Sequence, residues 1–239
     1  MNAAGRSSPD ELWVCQLGTV PWREALVMQE HLRTRRQAGE LPDTLLLLEH
    51  LPVYTRGRRS HPGELTLGED FYRARGIEVV DTNRGGRVTY HGPGQLVGYP
   101  IMGVSDVLEH LRTIERALVA ALAQEGIAAR SRVDDGPDYT GVWVGERKIA
   151  SLGVHVSRGV STHGFAVNVE NDLEPFSWVV ACGLPDVKMT SLARESDARS
   201  PGVRCFRKRV AYEFCQAHGR RQRLVSSQRL GLDRQLVPV

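Results

Sequence analysis

No apolar run in this chain is long enough to cross a bilayer: the leucine run Leu45 to Leu48 has four residues and Ala117 to Ala123 seven, against about 20 for a spanning helix. The opening MNAAGRSSPDEL has no basic start followed by an apolar stretch, so no secretory signal is predicted. The four cysteines, Cys15, Cys182, Cys205 and Cys215, show no CxxC spacing and no staple pattern. That predicts free thiols in a cytoplasmic chain. There is no Gly-x-Gly-x-x-Gly and no P-loop with its Lys-Ser/Thr, which excludes the familiar phosphate cradles. His155 and His163 lie on different predicted strands, with no Cys or carboxylate cluster at ligand spacing, so no metal site is expected. Internal repeats, low-complexity tracts and regular βαβ alternation are also missing, and the last absence argues against a doubly wound sheet.

What remains is an ordinary globular composition, 239 residues with 41% hydrophobic and 25% charged, enough for a sizeable core. The expected organisation is one domain over residues 11–218, with 1–10 and 219–239 as loosely ordered ends. Charge is uneven: the segment from Arg199 onward carries +8 of a net +3, leaving −5 on the body. A basic tail suits nucleic acid or an acidic partner protein. A solvated helix and a loose end is the plainer reading.

LWVCQLG (12–18) reads as a first strand and PWREALVMQEHLRTRRQAG as a helix with Pro in its first turn and Gly39 at its end. DTLLLLEHLPVYTRG (43–57) reads as a buried strand, a break and a short strand, and IEVVDTN (77–83) as another. In SDVLEHLRTIERALVAALAQEG, Val107, Leu111, Ile114, Leu118 and Leu122 line one helical face, with Asp106 and Glu109 as a capping box. Residues 141–169 predict three antiparallel strands turning at Gly145-Glu146 and Ser157-Arg158-Gly159. A last helix over 203–218 carries Val203, Phe206, Val210, Phe214 and Ala217 at helical spacing. Hairpins with helices in separate blocks predict an α+β fold, a mixed, largely antiparallel sheet flanked by helices.

The richest stretch is NRGGRVTYHGPGQLVGYPI (83–101). Glycines here reach positive φ and let a ligand approach backbone without a Cβ in the way. Gly85-Gly86 and Gly92-Pro93-Gly94 then read as two walls of one pocket. Two plain turns in a sheet are the competing explanation.

RGGRVTYHGPGQL (84–96) resembles the signature of the lipoyl(octanoyl) transferases. GERKIASLGVHVSRGVSTHGFAVNV (145–169) and VACGLPDVKMTSL (180–192) resemble that family's second and third blocks, in order and spacing. The resemblance runs from about Leu12 to His218. Ala181 stands where the family usually has proline, which bears on how the loop enters Cys182. The resemblance implies a catalytic domain like that of the biotin and lipoate protein ligases. It implies a cytoplasmic enzyme that moves octanoyl from acyl carrier protein to a lysine of lipoyl domains, in the 2-oxoacid dehydrogenase complexes and the glycine cleavage H protein. No cofactor, metal, membrane or nucleic acid is implied.

Carried over by motif, the nucleophile is Cys182 and its proton partner Lys148. The walls of the acyl site are Arg84, Gly85, Gly86, Arg87, Val88, Thr89, Tyr90 and His91, then Ser151, Leu152 and Gly153, then Gly164, Phe165 and Ala166. Tyr90 and Leu152 are expected to supply apolar surface, and Arg84 either to fix a loop or to meet a phosphate of the carrier. Strand alternation puts Lys148 on a face with Ala150, Leu152, Val154 and Val156. Desolvation there would favour a neutral amine suited to proton exchange. From the residues alone, a strand-end lysine reaching for water is the simpler account, and a one-residue bulge would reverse the face. Cys182 follows the apolar WVVA, and Gly183 leaves backbone N–H groups open to an oxyanion. A Cys–His pairing with His91, His155 or His163 rivals Cys–Lys, and an ATP-dependent ligase of the same fold rivals the transferase.

Overall fold

The computed structural model describes residues 10–184, 186–196 and 202–232. The run TLLLL decides the architecture. In β2 (Thr44–Glu49) every leucine is fully buried, and period-2 alternation sends them to opposite faces. Leu45 and Leu47 join a core with Leu118, Phe206 and Phe214. Leu46 and Leu48 join another with Ala25 and Leu32. The sheet is therefore covered on both sides: by α1 (Trp22–Gln37) on one, and by α3 (Val107–Ala123) and α4 (Gly202–Ala217) on the other.

β1 (Glu11–Thr19) runs parallel to β2 through α1. β2 pairs antiparallel with β6 (Gln95–Ile101), and β6 with β10 (Val160–Asn168). β10 continues antiparallel to β9 (Arg147–Ser157), then β8 (Gly141–Val144), then β7 (Arg130–Ser131), while β11 (Lys188–Met189) lies parallel on β9. This is the mixed, largely antiparallel sheet that the hairpins predicted. The β9–β10 turn has positive φ at Arg158 and Gly159, the backbone that matches strand twist in tight hairpins.

A smaller sheet pairs β3 (Val53–Arg56) in parallel with β4 (Glu78–Asp81) and antiparallel with β5 (Thr89–His91). α2 (Glu69–Arg73) lies between β3 and β4 in the chain and had no periodic signal. The His-Gly-Pro-Gly turn carries the chain from β5 directly into β6, so the glycine-rich stretch joins the two sheets.

In α3 the Asp106 carboxylate accepts from the N–H of Leu108 and Glu109. The second half of the expected capping box does not form, because Glu109 binds Arg116 and Thr113 instead. Ile114, Leu118 and Leu122 are buried as predicted, but Val107, the first residue of the helix, is exposed.

The expectation of a loose end from 219 fails for residues 221–232. β12 (Arg221–Leu224) is a parallel edge strand on β1, and Leu230 and Leu232 are buried against the α1 side. RQRL has no alternation to read: it is held by backbone pairing and by ion pairs from Arg221 and Arg223 to Glu11. Arg209 bonds Glu125 and Arg207 bonds the Leu17 carbonyl, so much of the basic excess serves the fold. Among the described residues no helix is long and apolar enough to cross a membrane, and no three His, Cys, Asp or Glu side chains are grouped to hold a metal.

Candidate active site

Cys182 sits in a helical turn, Ala181–Gly183, with φ 57° and ψ 12°. A non-glycine residue in this left-handed region costs roughly 1–2 kcal/mol, so its surroundings hold it there. Its N–H bonds the Val88 carbonyl at 2.9 Å, tying the loop to the segment that enters β5. The Ala181 N–H bonds the Val179 carbonyl at 3.0 Å, a bond that a proline at this place would lack. The Sγ of Cys182 lies 3.7 Å from the Ser151 Oγ.

Lys148 is 2% exposed, and its face assignment is corrected. Val142 pairs with Ala150 but Trp143 pairs with Lys148, so Ile149 is an extra residue in β9. Ile149 and Ala150 accordingly both enter the core, although they are adjacent. This bulge turns Lys148 away from the Ala150 side and onto the cavity with Ser151 and Cys182. Its stem packs where Gly141 has no side chain: a Cβ there would lie 2.7 Å from Cε. Its Nζ lies 5.1 Å from the Trp143 ring centroid. The Lys148 side chain makes no hydrogen bond or ion pair with any other described residue.

Cys182 and Lys148 line one cavity of about 300 Å³, at the lower end of the range for small-ligand sites. Of the expected wall residues, Arg84, Gly85, Gly86, Arg87, Thr89, His91, Ser151, Leu152, Gly153, Gly164, Phe165 and Ala166 are there. Val88 and Tyr90 are not. Alternation along β5 turns them into the core of the small sheet, where Tyr90 packs on Tyr54 and Phe176. Tyr90 therefore supplies no surface to the cavity.

Arg84 fixes its loop. It is buried, and its guanidinium donates to the Thr55 carbonyl and hydroxyl and to the carbonyls of Gly85 and Arg87. Burial pushes its pKa down to about 10, opposed by Cys182, Tyr99 and Glu64, so it stays charged at neutral pH. His91 and His163 face the same cavity. Burial, then electrostatic coupling to His50 and to Arg84, holds His91 down at about 3. Burial, then Arg84, holds His163 at about 3. Gln95 Nε2 donates to Tyr90 and Asn168, so its Oε1 must accept from the His91 Nδ1–H, leaving Nε2 as the unprotonated nitrogen. Both rings are neutral and weakly basic. His155, the third rival partner, does not line the cavity.

Sequence reasoning missed Trp22, Val97 and Tyr99, which line the buried part of the cavity. Alternation in QLVGYPI, with Val97 opposite Ala166, is the signal that would have found the last two. It also missed the rim: Leu108, which is exposed, and Pro137, Asp138 and Thr140. Arg59 and Asp138 form an exposed ion pair of 3.1 Å there. DDGPDYTG reads only as a loop and gave no warning.

The profile of the lipoyl protein ligase A/B catalytic domain matches residues 21–215. The octanoyltransferase of Solibacter usitatus is 47% identical over 198 residues, covering 80% of this chain and 88% of that protein. The octanoyltransferase of Mycobacterium marinum is 44% identical over 229 residues, covering 91% and 92%. The chain belongs to the octanoyltransferase family. Among solved structures, lipoate-protein ligase A bound with ATP is similar with a TM-score of 0.77 at 21% identity, over 95% of this chain and 94% of that one. A bipartite lipoate protein ligase from Thermoplasma acidophilum gives 0.72 at 19%, over 95% and 91%. At such identities these two speak for the fold, the ligase-type α+β domain expected from the sequence. As a member of the octanoyltransferase family the chain is an acyltransferase, and all three motif blocks meet at the cavity just described.

Proposed function

We propose that this chain transfers an octanoyl group from octanoyl-acyl carrier protein to a lysine of lipoyl domains, through a thioester on Cys182 with Lys148 as proton carrier. One observation carries the reading: a cysteine in a strained turn and a buried lysine, without a hydrogen-bond or ion-pair partner among the described residues, share one largely apolar cavity. The Cys182 thiol gives its proton to the Lys148 amine, and Sγ attacks the donor's thioester carbon. The carbonyl electron pair moves to oxygen and returns, the carrier's sulfur leaves, and Lys148 returns the proton to it. The acceptor lysine then attacks octanoyl-Cys182, Lys148 takes its proton, and Cys182 is released as the amide forms. Thioester exchange is nearly even in energy and amide formation runs downhill, so no ATP enters. Burying a seven-carbon tail against Leu152, Phe165 and Val97 contributes about 5 kcal/mol before ordering costs. The low basicity of His91 and His163 favours Lys148 over the Cys–His alternative.

Pure protein mixed with octanoyl-carrier and no ATP should gain the mass of one octanoyl group, absent in Cys182→Ser. The label should pass to an added lipoyl domain, either from a 2-oxoacid dehydrogenase complex or the glycine cleavage H protein. Modification that demands ATP and free octanoic acid would instead identify a ligase.

A further inference from the structure

Each tetrahedral intermediate on Cys182 places negative charge on a former carbonyl oxygen, which needs donors fixed in advance. The backbone groups around the nucleophile are taken. Cys182 N–H bonds Val88 at 2.9 Å, Gly183 N–H bonds Val180 at 3.3 Å, and Leu184 N–H bonds Ala181 at 3.1 Å. Gly183 therefore does not open its own N–H to an oxyanion, as its place in the sequence had suggested. It makes room for Arg87: a Cβ at Gly183 would lie 2.0 Å from Arg87 Cδ and 2.4 Å from Nε.

That Nε is buried and has no hydrogen-bond partner among the described residues. Leaving such a donor unpaired costs about 1–3 kcal/mol. The side chain is held nonetheless, because Nη1 donates to Glu64 Oε1 at 2.7 Å, and the Glu64 side chain is 6% exposed. Glu64 also accepts from the N–H of Val180 through its carbonyl (2.9 Å) and from the N–H of Val88 through Oε2 (3.4 Å). Val180 and Val88 are the residues whose carbonyls pin Gly183 and Cys182. One residue, Glu64, thus fixes the arginine and the Val88 segment through its carboxylate and Val180 through its backbone carbonyl, and Arg87 and Cys182 both line the cavity.

We propose that the Arg87 Nε–H is the oxyanion donor for both acyl-transfer steps. This rests on the Cys182 thioester described above. As sulfur or amine bonds to the carbonyl carbon, the π pair moves onto oxygen and is met by the Nε–H. On collapse the pair re-forms the double bond and sulfur departs. Arg87 loses no proton in either step.

The test compares Arg87→Met with the unmodified protein in three single-turnover rates: acylation of Cys182 by octanoyl-carrier, deacylation by a lipoyl domain, and alkylation of Cys182 by iodoacetamide. Alkylation displaces iodide from a saturated carbon and builds no oxyanion. Acylation and deacylation should slow by about 10²–10³-fold, with alkylation and KM for the donor within about threefold of the parent. Arg87→Lys keeps a cation for Glu64 without an Nε–H and carries the same comparison if the Met variant does not fold. Alkylation falling in parallel with acylation, or acyl rates within about fivefold of the parent, would overturn the assignment. A parent protein that never gains octanoyl on Cys182 would overturn the thioester reading itself, before any variant is compared.

Discussion

Acidification from pH 7 to pH 5 should strip this protein of much of its stability, through histidines that it keeps neutral. His50 is fully buried, and His91 and His163 are 7% and 2% exposed. Burial holds His50 down at about 4, against a weaker upward pull from its bond to the Val20 carbonyl. His91 and His163 are held at about 3. In the unfolded chain each titrates near 6.5. Below that pH the unfolded state takes up protons that the native state refuses. The histidine contribution is therefore intact above about pH 6.5 and is lost progressively down to pH 3–4, where both states are protonated. Between pH 7 and 5 an unfolded histidine gains about 2 kcal/mol of proton binding while the native one gains almost nothing. Three of them amount to about 6 kcal/mol, a large share of the 5–15 typical of a domain. His110, held at about 4 by burial and by His218, adds to the same sign. Urea unfolding followed by tryptophan fluorescence should show a free energy falling by about 4 kcal/mol per pH unit near pH 5. His163→Gln should remove about a third of that slope. Stability that stays level or rises between pH 7 and 5 would refute the burial argument.

Other expectations concern the site and the edge of the sheet. Lys148→Met, which keeps the stem that fills the space at Gly141, should slow both half-reactions by about 10²-fold or more while leaving the melting temperature near that of the parent. Equal turnover in the two would remove Lys148 from the mechanism. Gly183→Ala puts a Cβ into Arg87 at a φ of +72° and should cost roughly 1–3 kcal/mol of stability; an unchanged urea midpoint would count against the packing described. Truncation after Gly219 should destabilise the domain. It removes β12 and the burial of Leu230 and Leu232, worth about 3–6 kcal/mol in burial alone, and an unaltered denaturation curve would show that the strand is dispensable.

By itself the sequence determined the α+β class, the main hairpins, the long helices and the three motif blocks, because alternation, helical spacing and turn residues are local signals. The family resemblance of those blocks, not their periodicity, pointed to most of the residues that line the cavity, which lie in short stretches of chain. Only the tertiary structure decided which way the key side chains face. One extra residue, Ile149, reverses Lys148, and a bulge is a property of two paired strands that neither strand announces alone. The turning of Tyr90 into the small sheet likewise depends on Phe176, 86 positions later in the chain. β12 was illegible because an exposed edge strand is held by backbone bonds to β1, at the opposite end of the sequence, and backbone bonds leave no pattern in side chains. The oxyanion donor is the deepest case. The partnerless Arg87 nitrogen beside Gly183 exists only because Glu64, Val88 and Val180 are drawn together by folding.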